Sequence, residues 1–282
     1  MYSRPGELEE ALRLIGEPDV RILAGGTDLY PAAGERPLSG SFVDVTALSA
    51  LKGLRVRPEE LRIGGATTWS ELTRLDLPPA FDALKAASRE IGGVQIQNRG
   101  TIAGNLCNAS PAADGVPPLL ILDAEVELAS LRGLRRVPLS QFIVGNRRTA
   151  LASDEIVTAI VTPRPVSTMR STFLKLGARR YLVISIVIVA LLLDIVEGVV
   201  REARIAVGAC SAAAKRLPAV ERRLSGAPAR AGLSQRVTAD DLALLSPIND
   251  LRGTAAYRRD AALTLVRRSI ECCLDGDPGG VL

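Results

Sequence analysis

Histidine does not occur anywhere in the 282 residues. That absence removes the Ser-His-Asp and Cys-His hydrolases, a His-ligated zinc site and a histidine general base. Cysteine is scarce, and Cys107, Cys210, Cys272 and Cys273 show no CxxC spacing. Neither a zinc ribbon nor an iron–sulfur cluster carried by this chain is expected. Adjacent Cys272 and Cys273, placed on a helix, point to different faces and read as small buried residues. Aromatic content is only 3%, too little for the stacking platforms that hold single-stranded nucleic acid. Lysine is rare too: among 35 basic residues only Lys52, Lys85, Lys175 and Lys215 are lysines, and the net charge is +4. The dispersed arginine excess reads as composition, with a basic face toward an acidic partner as the alternative. The longest apolar run, Tyr181 to Leu193, stops at Asp194 and is too short to span a bilayer. The opening MYSRPGELEE has neither the basic segment nor the apolar core of an export signal. A cytoplasmic protein that inserts into no membrane is the expectation.

What is present is apolar residue content of 47%, enough for two compact domains at this length. Leu8, Ala11, Leu12 and Ile15 fall at helical spacing, so a helix is expected over about Glu7 to Ile15, stopped by Gly16 and Pro18. Val20–Leu23 reads as a short buried strand and Phe42–Val45 as a second, closing a first lobe near Leu54. Leu61–Gly65 reads as a strand leading to Thr68-x-x-Glu71, a capping box for a short helix carrying Trp69 and Leu72. Trp69 is a core anchor or a ligand neighbour, with the core reading favoured. Phe81, Leu84, Ser88 and Ile91 mark another helix. Val126 and Leu128 lie on one strand and Ile156–Val161 on the next; the Pro163–Thr168 linker is the expected domain boundary, giving domains 1–165 and 166–282. Beyond it, Phe173–Leu176, Tyr181–Leu193 and Arg201–Ala209 read as strands, the last two joined at a Glu197-Gly198 turn. Leu263, Val266, Ile270 and Leu274 mark a terminal helix, with Gly276–Gly280 as a frayed tail.

Two stretches are not explained by packing. Ile22–Pro31, ILAGGTDLYP, reads as a strand feeding a tight turn with exposed amides. Ile91–Leu120, IGGVQIQNRGTIAGNLCNASPAADGVPPLL, concentrates glycine with Thr101, Asn105, Asn108 and Ser110. It reads as a polar cradle at a helix C-terminal end, and composition alone also allows a plain loop. Two glycine cradles suit a diphosphate. No G-x-G-x-x-G and no G-x-x-x-x-G-K-[ST] is present to serve one by another route.

Taken together, AGGTDL, IGGATTWSEL, QNRGTIAGNLCNASPAAD and SPINDLRGTAAYRR (Ser246 to Arg259) resemble the FAD-binding medium subunit of the molybdenum hydroxylases, the xanthine dehydrogenase and carbon monoxide dehydrogenase type. The resemblance covers nearly the whole chain. It implies an α+β protein: a two-lobed α/β FAD-binding domain of the vanillyl-alcohol-oxidase-like type, with lobes of about 1–55 and 56–165, followed by a smaller domain of antiparallel sheet plus helices. It implies that Ala24, Gly25, Gly26, Thr27 and Asp28 form the first FAD segment and Thr101, Ile102, Ala103, Gly104 and Asn105 the second, with Asp114 the acidic residue of SPAAD. The Gly25, Gly26 and Gly104 amides would approach the diphosphate, and the Thr27 and Thr101 hydroxyls would donate to it. Asn105 would fix a polar edge of the cofactor, and Asp28 would hold the loop or a ribose hydroxyl. Lys175 matches a position where the family often has a lysine near the flavin; the residues alone equally allow a surface lysine at a strand end. Ala103 departs from the glycine usual in TIGGN, and Gln97 from an arginine common before NRG. ARRYLVIS replaces a more usual acidic segment, which puts Tyr181 near the flavin's redox-active edge.

The same resemblance implies a molybdopterin-binding large subunit, a small [2Fe-2S] subunit and an external acceptor such as NAD, oxygen or quinone. This chain would then relay electrons through FAD, with no metal site and no catalytic side chain of its own. Two other readings stay open: a stand-alone FAD-dependent reductase or oxidase of the same fold, and a scaffold that has lost its cofactor, against which the intact Gly25-Gly26 and Thr101/Asn105 speak.

Overall fold

The computed structural model describes residues 1–281. Its α/β chain divides into two compact units, the first made of Met1–Leu75, Val94–Ala109 and Ala124–Arg164, the second of Asp76–Gly93, Ser110–Asp123 and the chain from Pro165 on.

The first unit begins with a three-stranded parallel sheet in which Ser41–Asp44 lies between Tyr2–Ser3 and Val20–Leu23. Helix Leu8–Ile15 buries Ala11, Leu12 and Ile15, and Gly16 caps its end. The expected buried strand Val20–Leu23 forms, yet only Leu23 is buried. It is an edge strand, and Arg21 lies over the Phe42 ring at 4.5 Å while donating to the Ser39 carbonyl. The same unit holds a five-stranded antiparallel sheet, ordered Leu54–Val56, Glu60–Gly64, Ile156–Pro163, Glu125–Ser130, Gly133–Pro138. The central strand Ile156–Pro163 is buried along its length except at Pro163, as its unbroken apolar and threonine run requires. The Thr68/Glu71 capping box forms as its spacing dictates, and it opens helix Trp69–Arg74 with Trp69 in the core.

Ile91–Leu120 differs from the cradle expected there. It holds three short helices, Val94–Arg99, Ile102–Asn108 and Val116–Ile121. The reason is local: Thr101 is an N-cap whose side chain accepts the Gly104 amide, so the chain restarts as helix immediately after Gly100. Pro117 and Pro118 do not break the chain but sit in the first turn of the third helix, where proline lacks no needed donor.

In the second unit the sheet order is Lys215–Arg216, Val199–Gly208, Val187–Val196, Met169–Leu176, Gly279–Val281. The pairs are antiparallel apart from the last, which is parallel. Glu197 and Gly198, with φ of 50° and 73°, make the hairpin turn. The strand expected from Tyr181 starts only at Val187. Leu182 has a left-handed φ of 50° and Ser185 is tied to Asp114, so the first residues of that apolar run cannot extend. The tail expected to fray instead adds Gly279–Val281 beside Phe173–Lys175. The terminal helix Ala255–Asp275 buries Val266 and Ile270 as expected, but its hidden line runs through Arg258, Ala261, Leu265, Ser269 and Cys273, leaving Leu263 and Leu274 half-buried. Cys272 is half-buried and Cys273 buried, on separate faces.

Candidate functional site

In the first unit the two glycine motifs, some 75 residues apart in sequence, are brought into contact. Strand Val20–Leu23 delivers loop Ala24–Asp28, and helix Leu29–Ala33 follows it. A side chain on Gly25 would overlap the Arg99 carbonyl, so this glycine lets the backbones of the two motifs touch. Gly26 has a left-handed φ of 72° with the Tyr30 ring against it. Asp28 Oδ1 accepts Asn108 Nδ2 at 2.9 Å, and Arg147 both donates to Asn108 Oδ1 and stands 4.0 Å from Asp28. Asp28 therefore holds its loop onto the helix that carries Ile102–Asn108. Gly26 and Asp28 carbonyls accept the Tyr30 and Ala32 amides. The amides of Gly25, Gly26, Thr27 and Asp28 find no acceptor among the described residues, which leaves a run of donors at one turn.

The second motif behaves differently. Ile102 donates to Thr67, Ala103 to Gly65 and Asn105 to the Thr101 carbonyl, each at 3.0 to 3.1 Å. Gly104, whose amide was expected to face a diphosphate, donates it to Thr101 Oγ1 at 3.0 Å. These amides are consumed in building the capped helix. Ala103 sits in that helix outside the left-handed region, so its methyl in place of the family's glycine causes no backbone strain. Ile102 is fully buried and backs the core. Asn105 Oδ1 is buried and accepts no hydrogen bond, an orphaned acceptor that calls for a donor from a bound molecule.

The second unit assembles the other residues. Lys175 is buried, not at the surface: its Nζ donates to Asp114 Oδ2 at 2.6 Å and to the Glu90 carbonyl at 3.3 Å. Ser185 donates to the other oxygen, Oδ1, at 2.7 Å. Burial pushes the Asp114 carboxyl above its ordinary range, opposed by the attraction of and hydrogen bond from Lys175 and by the Ser185 hydroxyl. Lys175 is thus a compensated charge. Tyr181 is 61% exposed, with the Arg180 guanidinium 5.2 Å from its ring centre. Ser185 and Arg147 escaped the sequence reading. Ser185 had a signal, the lone polar residue between Ile184 and Ile186 in an otherwise apolar run. Arg147 had none, since its partner Asn108 lies 39 residues away.

An amide-lined glycine turn beside a buried unpaired acceptor is a place for a cofactor with a diphosphate and a polar ring edge. Residues 1–165 match the family described as the FAD binding domain in molybdopterin dehydrogenase, and residues 172–273 match the CO dehydrogenase flavoprotein C-terminal domain. The chain is 31% identical over 278 residues to a xanthine dehydrogenase FAD-binding subunit of Escherichia coli O157:H7, covering 95% of this chain and 94% of the relative. It is 32% identical over 276 residues to the nicotine 6-hydroxylase medium subunit of Paenarthrobacter nicotinovorans, covering 95% of each. In structure it resembles a chain of reconstituted CO dehydrogenase from Oligotropha carboxidovorans, with a TM-score of 0.90 and 27% identity over 97% of both chains.

The chain belongs to the FAD-binding subunits of the molybdenum hydroxylases, the xanthine and carbon monoxide dehydrogenase family. Its cofactor is FAD, and its class is oxidoreductase.

Proposed function

We propose that this chain is the flavin electron-transfer subunit of a molybdenum-containing hydroxylase or dehydrogenase, with residues 1–165 serving as the FAD-binding domain and 166–282 as the second domain. The observation that carries the reading is the free donor run of Gly25–Asp28, held by the approach of Gly25 to the Arg99 carbonyl and by the Asp28–Asn108 bond to helix Ile102–Asn108. Those amides and the Thr27 hydroxyl hold the diphosphate, and the Thr101 hydroxyl, which accepts the Gly104 amide, still has its own proton to give. Asn105 Oδ1 takes a donor from the cofactor. Ile102, Ala103 and Gly104 shape that helix. The Asp114–Lys175–Ser185 group is a buried polar cluster within the second unit, and Tyr181 is exposed on that unit.

Bound FAD supplies two-electron and one-electron redox chemistry, which no side chain here can perform. With no histidine and no cysteine pair at metal-binding spacing, the chain's own residues bind and orient. A [2Fe-2S] subunit would donate the electrons, a molybdopterin-binding subunit would oxidise the substrate, and NAD, oxygen or a quinone would be the external acceptor, in the cytoplasm. Lasting relay needs a fixed interface, and obligate interfaces commonly bury roughly 2,000 Å² or more.

The test is co-expression with a molybdopterin-binding and a [2Fe-2S] subunit from the same source genome, followed by size-exclusion chromatography and acid precipitation. A heterotrimer, or its two-fold dimer, that reduces its flavin on addition of substrate supports the proposal. FAD should appear in the acid supernatant, because Cys107, the cysteine within the second motif, is a thiol that burial pushes up to about 12 and the chain has no histidine to link it. A flavin-replete monomer that turns over a small substrate by itself would replace this reading with the stand-alone flavoenzyme.

A further inference from the structure

One face of the five-stranded sheet in the first unit carries a cavity of about 440 Å³ that none of the FAD motifs lines. Its walls are Arg55, Arg57, Arg62, Arg135 and Arg136, with Glu127 and Leu134. Five guanidiniums around one cavity need partners, and most have them. Arg62 holds Glu127 at 2.7 Å, and Arg135 holds Glu155 at 2.6 Å. Arg57 and Arg136 share Glu60 at 3.0 and 2.7 Å, while Arg136 also reaches Glu127 and Glu125 at 3.3 and 4.0 Å. Four carboxylates therefore answer five cations.

The surplus is localised. The Arg55 side chain makes no ion pair or hydrogen bond among the described residues. Arg62 is 8% exposed, and its Nη1 is buried without an acceptor. Arg55 and Arg62 are direct cross-strand partners on Leu54–Val56 and Glu60–Gly64. Like charges directly opposite one another on paired strands are destabilising, and a buried guanidinium arm without an acceptor adds a desolvation cost. Both costs fall on the same pair of residues at the same cavity, and an oxyanion would relieve both.

We propose that this cavity is a second ligand site, which takes a small molecule through a single carboxylate or phosphate head seated on Arg55 and backed by Arg62. A surplus of one positive charge matches one oxyanion group and falls far short of what a nucleic acid backbone demands. The volume lies in the range of small-molecule pockets. Leu134, 70% exposed at the rim, offers apolar contact to the body of the ligand. Arginine suits the head group because its fork of donors matches two oxygens at once.

Isothermal titration of the flavin-loaded full chain with phenyl phosphate, benzoate and benzyl alcohol tests this. Saturable one-site binding of phenyl phosphate or benzoate, without binding of benzyl alcohol, is expected, and the tighter anion identifies the head group. Arg55→Ala, which removes no internal partner, should weaken that binding about tenfold, the scale of one charged hydrogen bond, with flavin content unchanged and the melting temperature no lower, since the like-charge opposition to Arg62 is relieved. Arg62→Lys keeps a cation against Glu127 while removing the spare arm, and should weaken binding as well. No saturable binding of either anion, or equal affinity in Arg55→Ala and the parent chain, would overturn the proposal.

Discussion

Lys175 Nζ lies 2.6 Å from Asp114 Oδ2, and their side chains are only 2% and 9% exposed. The two residues are 61 positions apart, so neither could be paired with the other from local sequence. A buried ion pair adds little net stability, but breaking it by removing one partner leaves an uncompensated charge, at a cost of about 3–5 kcal/mol. Asp114→Asn and Lys175→Met should each destabilise the protein on that scale in urea unfolding. The double variant Asp114→Asn/Lys175→Met should lose clearly less than the sum of the two. Additive losses would show that the pair is not coupled as its geometry requires.

The glycine turn makes a second prediction. Gly25→Ala pushes a methyl into the Arg99 carbonyl, which is backbone and cannot turn aside. Gly26→Val forces a β-branched residue to a φ of 72°, at about 1–2 kcal/mol for the left-handed conformation alone. Both variants should purify with most of their flavin absorbance lost relative to protein. Unchanged flavin content in Gly25→Ala would separate the two motifs functionally, despite their contact.

A third concerns acid. Asp250 accepts Arg258 Nη2 at 2.8 Å, the Arg252 amide at 2.9 Å and Arg252 Nη1 at 3.3 Å. The hydrogen bond from Arg258 is the main reason its carboxyl is lowered from 3.8 to about 2. Because the folded value lies below the unfolded one, the stabilisation is fully present above about pH 4 and is lost as pH falls through about 2. Asp250→Asn should lower the melting temperature at neutral pH, by roughly 2–4 °C, and the difference should shrink below pH 4 and vanish near pH 2. A difference that stays constant with pH would assign the effect to packing.

The local features were legible because their causes are local. Thr68 and Glu71 cap each other three residues apart, and Glu197-Gly198 turns a hairpin whose strands flank it. The Ile91–Leu120 segment reads as a polar cradle and not as helix because glycine and asparagine weigh against helix in any propensity scale, whereas local capping such as that of Thr101 overrides that preference in helices of only six or seven residues. The candidate site was half legible. AGGTDL and TIAGN announced themselves, but the approach of Gly25 to Arg99 and the bracing of Asp28 by Asn108 and Arg147 are tertiary facts. So is the surplus on Arg55 and Arg62, which appears only once Leu54–Val56 and Glu60–Gly64 are paired.

The chain passes between its two units five times, at residues 75/76, 93/94, 109/110, 123/124 and 164/165. On the ribosome this imposes an order. Helices Asp82–Glu90 and Val116–Ile121 emerge early, yet the sheet they pack against is built from strands within Met169–Gly208, which are synthesised later. Until then Leu84, Ala87, Leu119 and Ile121, all fully covered in the finished protein, face water on the nascent chain. The early apolar helices are a natural client for a ribosome-associated chaperone. Ribosome profiling of chaperone-bound nascent chains would show the interval, beginning as Val116–Ile121 leaves the exit tunnel and ending when the Val187–Gly208 hairpin does.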